Sequence, residues 1–409
     1  MPYPSLLPRF LRYVKVWTTS DPHSDTVPST PQQWDLLRLL EQELRELGAS
    51  DVELKTSAYL LARIPATTSE PSPVVALLAH VDTSPDFSGK DVQPIRYPNY
   101  QGQAITYPND SALRLDPHEL KDAIGKELIT SSGDTLLGAD DKAGVAILMT
   151  LAEHLLQNPS IPHGEIRLCF TPDEEIGRGV DGLSLEWLGA DVAYTVDGDG
   201  LGEINEETFS ADGAAITITG LSTHPGTAKQ DGMVNAVHLV GKLLASLPRE
   251  RCCPEDTDGR EGFLHPVEVQ GTAAEATLRL ILRDFEEDGL AAKGEMLRAL
   301  CAGMQACYPT ARIDCRITKQ YRNMGKWLRE RPECLGWLQQ ACQNAGITPI
   351  LKPIRGGTDG SRLTERGLPT PNLFTGGHGY HGPLEWMCRE DMEASVQVLV
   401  ELVQVIANS

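Results

Sequence analysis

Five short stretches of this 409-residue chain carry side chains able to bind a metal ion, and three of them follow apolar runs that read as buried strands. The stretches are His80 with Asp82, Asp140 with Asp141, Glu174 with Glu175, Asp197, and His381. Val74 to Ala79 leads into His80, Ile166 to Phe170 leads into the acids at 173–175, and Val192 to Val196 leads into Asp197. In open α/β sheets ligands bind beyond the carboxyl ends of the strands. Histidines and carboxylates delivered there are the material of a two-metal hydrolase.

Each stretch also has a plainer reading. A histidine at a strand end can be an ordinary turn residue. Asp82, two residues on, could accept the second ring N–H of His80 and fix its tautomer. Asp140 and Asp141 precede a helix that the pattern starts near Lys142, where an aspartate could simply cap; it could equally bridge two cations with its two oxygens. Asp173, Glu174 and Glu175 repel one another unless cations or solvent screen them. If one glutamate binds metal, its neighbour can act as a general base. His381 shares a glycine-rich turn with His378, and spacing alone does not choose between them. Arg355, in the turn Arg355-Gly356-Gly357-Thr358-Asp359-Gly360, offers a charged fork suited to a substrate carboxylate, although a surface arginine would look the same.

The elements that must position these groups alternate. Leu37, Leu40, Leu44 and Leu47 form a helical stripe that stops at Gly48, and Thr30, Pro31 and Gln33 look like its cap and capping-box partner. Strands are expected at 52–54 and 59–64, and a strong helix at 142–157. From 82 to about 133 five prolines break the pattern, which predicts a long irregular insertion. Strand and helix alternation up to Asp197 predicts a mostly parallel sheet with flanking helices. After about Phe209 the pattern becomes strand 214–219, helix 233–247, strand 275–282, helix 291–307 and strand 311–318, two βαβ-like halves of a smaller inserted α+β domain. Helices at 333–345 and 391–406 return to the first domain. The expected division is 1–208 with 322–409, and 209–321.

Composition narrows the function. Lys plus Arg is 36 against 57 Asp plus Glu, a net charge of −21, which argues against nucleic acid and anionic membrane surfaces. No apolar run approaches a membrane span, and no targeting segment shows at the start. Nine cysteines without a C-x-x-C pair fit reduced thiols in the cytoplasm.

Several motifs together resemble the tripeptide aminopeptidases of the M20 family of dinuclear zinc metallopeptidases. They are A-H-V-D-T-S-P-D-F-S-G-K (79–90), L-L-G-A-D-D-K-A-G (136–144), F-T-P-D-E-E-I-G (170–177), Y-T-V-D-G (194–198), H-P-G-T-A-K (224–229), K-P-I-R-G-G-T-D-G (352–360) and P-N-L-F-T-G-G (371–377). The resemblance spans nearly the whole chain. It implies a zinc-exopeptidase type of fold with an inserted lid or dimerisation-type domain. It implies that His80 and Asp197 hold one zinc, that Glu175 and His381 hold the other, and that Asp140 bridges them, with a cis peptide to Asp141. Cobalt or manganese could replace zinc. Asp82 would orient His80, and Glu174 would move the proton. The family ligand lies in a Tyr-His-Gly sequence, which selects His381 over His378. His224, Arg355, Asn235 and Arg283 would bind the peptide. The implied protein is a cytoplasmic monomer or homodimer acting on tripeptides, with no nucleic-acid or membrane partner. The rival within the family is a deacylase of N-acyl amino acids or a dipeptidase or carboxypeptidase; the rival outside it is a peptide-binding protein without catalysis. Asp199, the turn 230–232 and the tail 382–385 depart from the family pattern.

Overall fold

The computed structural model describes residues 2–409. It divides into two compact units: the first is the chain up to Glu206 with Met324–Lys352 and Thr358–Ser409, the second is Glu207–Asn323 with Pro353–Gly357.

The first unit is built on an eight-stranded sheet. Its order in space is Ser50–Leu54, Leu60–Ile64, Ile166–Thr171, Val75–His80, Val192–Gly198, Asn372–Phe374, Glu203–Asn205, Ile350–Leu351. The four central strands, Ile166–Thr171 to Asn372–Phe374, run parallel, and their carboxyl ends therefore lie along one edge. Leu60–Ile64 and Glu203–Asn205 flank this block antiparallel, as predicted for a largely parallel sheet. Parallel strands covered on both faces read as nearly continuous apolar runs. Val75–His80 is buried throughout. One face packs on the helices Leu6–Tyr13, Gln33–Leu47, Ala139–Gln157, Pro332–Asn344 and Arg389–Ala407, through residues such as Phe10, Leu40, Leu148 and Leu399. The other face carries a smaller cluster of Tyr59, Leu78, Cys169, Leu188 and Leu363.

The helix expected from Lys142 is regular from that residue to Gln157; Ala139–Asp141 before it are set off by non-helical backbone at Asp140 and Asp141 and a cis peptide between them. Two expectations need correction here. The capping box expected at Thr30 does not form: the helix starts at Gln33, and the Gln33 amide donates instead to Thr30 Oγ1 and Asp173 Oδ1. The stretch 82–133 is not wholly irregular. Ile95–Tyr97 and Leu128–Thr130 join Trp386–Cys388 and Gly377–His378 in a separate four-stranded sheet. Strands of two or three residues paired across some 250 residues leave no alternation to read.

The second unit is a four-stranded antiparallel sheet in the order Phe263–Gly271, Glu275–Asp284, Ser210–Thr219, Arg312–Tyr321. Helices Ala236–Ser246 and Glu287–Cys307 each return to a strand two places along, and Ile216, Leu239, Leu278 and Leu297 form the shared core. The division differs from the expected one by two residues at each boundary, and Pro353–Gly357, placed with the first domain by sequence, clusters with the second unit. The cause is backbone pairing: Phe209 N–H donates to Ile354 O and to Gly356 O, at 3.1 Å each. Among the described residues no helix is long and apolar enough to cross a membrane.

Two glycines test how tightly the sheet edge is built. A Cβ on Gly144, in the first turns of the helix that follows Asp140, would lie 2.0 Å from Val196 O and 2.4 Å from Asp141 Oδ1. Gly144→Ala should therefore push the helix off the strand that ends in Asp197, at a cost of about 1–3 kcal/mol. Gly241, in the exposed face of Ala236–Ser246, has nothing within 4 Å of such a Cβ. Gly241→Ala should stabilise by about 0.4–1 kcal/mol. Urea unfolding midpoints followed by circular dichroism check both signs; equal midpoints for the two variants would contradict this packing.

Candidate metal centre

Four of the chemistry-bearing side chains of the first unit emerge where a central strand ends. His80 is the last residue of Val75–His80, Asp197 is the penultimate residue of Val192–Gly198, and Glu174 and Glu175 begin a short helical turn after Ile166–Thr171. Asp140 comes from the turn that opens the helix crossing this edge, and His381 from a loop in which it takes a left-handed φ of 63°.

These groups converge on Asp140. His80 Nε2 lies 2.9 Å from Asp140 Oδ1 and 3.5 Å from Asp197 Oδ1. His381 Nε2 lies 3.2 Å from Asp140 Oδ2 and 2.9 Å from Glu175 Oε2. Two sets of potential ligands result, His80/Asp140/Asp197 and Asp140/Glu175/His381, with the ligand atoms of each set within 4.8 Å of one another. Asp140 is common to both and gives one oxygen to each side.

The outer nitrogens are also occupied. His80 Nδ1 faces Asp82 O at 3.1 Å and Asp82 Oδ1 at 3.3 Å, and His381 Nδ1 faces Asp86 Oδ2 at 3.5 Å. An imidazole with acceptors at both nitrogens is either doubly protonated or has a cation in place of its inner proton. Burial disfavours the charged His381, yet Asp140 and Glu175 push its pKa up to about 12. Asp140 stays below the ordinary carboxylate range despite its burial, because both histidines donate to it. Glu175 Oε1 is buried with no hydrogen-bond partner. Divalent cations fit this arrangement: each would replace an inner proton, and one would give Glu175 Oε1 a partner. Burial raises Glu174 well above its usual pKa, with the charges of Asp359, Asp197 and Glu175 acting in the same direction against His80.

The geometry separates His381 from His378. His378 lies outside both sets and stacks on Trp386, with ring centroids 4.1 Å apart. Asp82 does more than face His80. Its two oxygens accept Glu174 N–H at 3.0 Å and Glu175 N–H at 3.2 Å, tying the glutamate turn to the histidine strand.

The other four expected residues lie in the second unit. His224 is exposed, and its Nδ1 accepts the Gly226 N–H at 3.1 Å. The Asn235 side chain accepts from Val237 N–H and His238 N–H as the cap of Ala236–Ser246. Arg283 Nη1 donates to Leu282 O and Gln320 Oε1. The fork expected of Arg355 meets protein rather than solvent: its terminal nitrogens donate to Gly259 O, Glu261 O and Thr257 O, over the rings of Phe209 and Phe263. A carboxylate could reach those nitrogens only in exchange for these bonds.

Sequence reasoning missed several residues that hold the site. Buried Asp173 accepts from Ser29 N–H and Gln33 Nε2, and its own N–H donates to Gln33 Oε1, so the N-terminal segment anchors the glutamate turn. Tyr380, beside His381, donates to Gly198 O at the end of the Asp197 strand. Glu385 accepts three backbone N–H groups from the turn 137–140. The three adjacent acids at 173–175 hinted at Asp173; the others have partners too distant in sequence to signal.

Two histidine and carboxylate sets sharing one aspartate at the carboxyl edge of a parallel sheet define a metallohydrolase. Residues 136–405 match the model of peptidase family M20/M25/M40. A protein named peptidase T from Desulfitobacterium hafniense is 45% identical over 407 residues, 99% of this chain and 98% of its own, and one of that name from Shewanella sediminis is 44% identical over 99% and 98%. The chain belongs to this peptidase family, as its motifs implied, and it is a metal-dependent enzyme. Solved structures share the fold: a tripeptidase from Staphylococcus aureus has a TM-score of 0.77 at 21% identity, covering 99% of this chain and 98% of that one. An aminopeptidase from Bacillus cereus has a TM-score of 0.72 at 22% identity, covering 98% of both.

Metal removal tests the centre directly. A cation at a hundredfold excess over its Kd stabilises by about 2.7 kcal/mol, so chelation should lower Tm in calorimetry and zinc should restore it. The pH slope has a definite sign. In metal-free protein Glu175 is raised to about 8 and Asp197 to about 7, first by burial and then by the charge of Asp140. A carboxyl so raised holds more protons folded than unfolded, so stability falls as pH rises from about 4 through these values. His381, also raised, acts with the same sign from about 6.5 upward. Chelated protein should lose Tm between about pH 5 and 8, and zinc should flatten that slope. A Tm indifferent to chelator would exclude the centre.

Proposed function

We propose that this enzyme is a tripeptide aminopeptidase that removes the N-terminal residue by hydrolysis of the first peptide bond. The observation that carries the reading is Asp140, shared between a His80/Asp197 set and a Glu175/His381 set with Glu174 beside them. The peptidase T name of the full-length relatives supports the substrate class. We assign two divalent cations, zinc first and cobalt or manganese as substitutes, to His80, Asp140 and Asp197 and to Asp140, Glu175 and His381.

When bound, the cations would supply Lewis acidity toward the scissile carbonyl and toward water. Glu174 takes a proton from the attacking water and returns it to the departing amine. Burial raises its pKa, the direction in which a carboxylate becomes the stronger base. Asp82 holds His80 by Nδ1 and fixes which nitrogen faces inward. His224 is assigned to the substrate: with Nδ1 accepting from Gly226 N–H, the neutral ring carries its proton on Nε2 and can donate it to a developing oxyanion. Arg283, Asn235 and Arg355 remain assigned to the peptide. Arg355 does so by exchanging carbonyl partners for a carboxylate. The nine free cysteines fit a reducing compartment, and we place the enzyme in the cytoplasm.

Replacing Glu174 with Ala should lower kcat on Ala-Ala-Ala by about 10²–10⁴-fold while bound zinc, measured by elemental analysis, stays at the wild-type level. Retained metal with wild-type turnover would remove Glu174 from the mechanism. A panel of tripeptides, dipeptides and N-acetylated amino acids separates this reading from the deacylase and dipeptidase alternatives.

A further inference from the structure

Glu385 is an ionisable side chain that the mechanism above does not use. It is buried, 1% exposed. Its Oε2 accepts Leu137 N–H at 2.7 Å and Gly138 N–H at 2.8 Å, and its Oε1 accepts Asp140 N–H at 3.0 Å. We infer that Glu385 is a positioning residue for the metal centre: its carboxylate holds the turn that presents the shared Asp140 and ties that turn to the segment carrying His381. The inference rests on the reading of Asp140 and His381 as ligands.

The turn needs an outside partner. Gly138 takes a left-handed φ of 80°, and Asp140 has φ −82° and ψ 108°, so the helix cannot satisfy the N–H groups of this stretch. Buried N–H groups seek acceptors, and a carboxylate is a strong one. Both of its oxygens are engaged by this one turn, at three separate N–H groups, which fixes the turn in rotation as well as in place. The consequence reaches the two oxygens of Asp140, which must point to His80 Nε2 and to His381 Nε2 at once, at 2.9 and 3.2 Å. A turn free to rotate would satisfy one histidine and lose the other.

The other end of the clamp is equally fixed. Glu385 follows His381 by four residues and directly precedes Trp386–Cys388, which pairs with Leu128–Thr130. One side chain therefore joins two stretches some 245 residues apart, each bearing a ligand of the same set. The nearby basic group is buried Lys142, whose Nζ donates to Val16 O at 2.7 Å and whose pKa burial lowers to about 7 against the charges of Glu385 and Asp82. Glu385 touches no ligand side chain and acts through the backbone.

The test uses the full-length protein, with Glu385→Gln and Glu385→Asp beside wild type. The glutamine keeps the shape but turns an N–H donor toward the turn's own donors; the aspartate keeps the charge on a shorter stem. Zinc affinity is measured by competition with a chromogenic chelator, Tm in excess chelator, and kcat and KM at saturating zinc. Glu385→Gln should bind zinc about 10–100-fold more weakly, the loss typical of groups that orient ligands, and keep a reduced kcat with little change in KM at saturating zinc. Glu385→Asp should recover part of the affinity. A purely structural role lowers Tm in chelator and leaves the zinc affinity of folded protein at the wild-type value in both variants; that result would overturn the inference. If Glu385→Gln fails to fold, Glu385→Asp decides by the same comparison. Wild-type protein that binds no zinc would instead overturn the assignment of the ligands themselves.

Discussion

Negative charge crowded around Asp140 is the constraint from which the rest of the first unit follows. Asp140, Glu175 and Asp197 come together at the edge of one sheet with only two imidazoles between them. Like charges at such distances cannot all ionise in a partly desolvated place unless positive charge enters. In metal-free protein the imidazoles carry it, which is why His381 rises to about 12 while Asp140 stays ionised. Two divalent cations would bring more charge to the same places. Only a parallel block delivers the groups this way, because it puts the carboxyl ends of neighbouring strands side by side. An antiparallel sheet would send alternate strand ends to opposite edges.

The acids of this region fall into two sets according to their partners. Asp82 accepts the N–H groups of Glu174 and Glu175, Asp141 those of His80 and Gly144, Asp173 that of Ser29, and Glu385 those of three residues of the Asp140 turn. These carboxylates accept peptide N–H groups, and those held by Asp82, Asp141 and Glu385 belong to or adjoin segments bearing another group of the site. Asp140, Glu175 and Asp197 meet the inner imidazole nitrogens, whereas Asp82 meets only the outer nitrogen of His80. The first set makes the site stiff, and stiffness is what lets the second set remain crowded. A loose turn would relieve the repulsion by swinging an acid out into solvent.

Sequence reading reached the second set and missed much of the first, for a physical reason. Ligands announce themselves by residue type at the end of an apolar run, and the runs before His80, Glu174 and Asp197 are legible because buried parallel strands are mostly apolar. A carboxylate bonded to a backbone N–H has no such signature, since any residue supplies the N–H. Glu385 and Asp173 were therefore visible as acids but not as anchors, and Gln33 was read as a capping partner when its amide serves Asp173. The same blindness applies to Arg355, whose fork binds the carbonyls of Thr257, Gly259 and Glu261. Pairing of Phe209 with Ile354 and Gly356, which draws Pro353–Gly357 into the second unit, is likewise a backbone event.

Asp199 shows why partner, rather than position, separates a ligand from a bystander. It stands two residues beyond Asp197, so the strand period would send both side chains to the same face. Residue type and spacing give it the same claim on a cation. Its carboxylate, however, lies 3.8 Å from Lys352 Nζ, which also binds Glu203 at 2.9 Å. The side chain is 53% exposed, against 13% for Asp197. An acid that shares a lysine and meets water has its charge answered locally and adds little to the crowding at Asp140. Asp197, with His80 as its neighbour and little access to water, has no such outlet, and a cation would balance it in place of a proton.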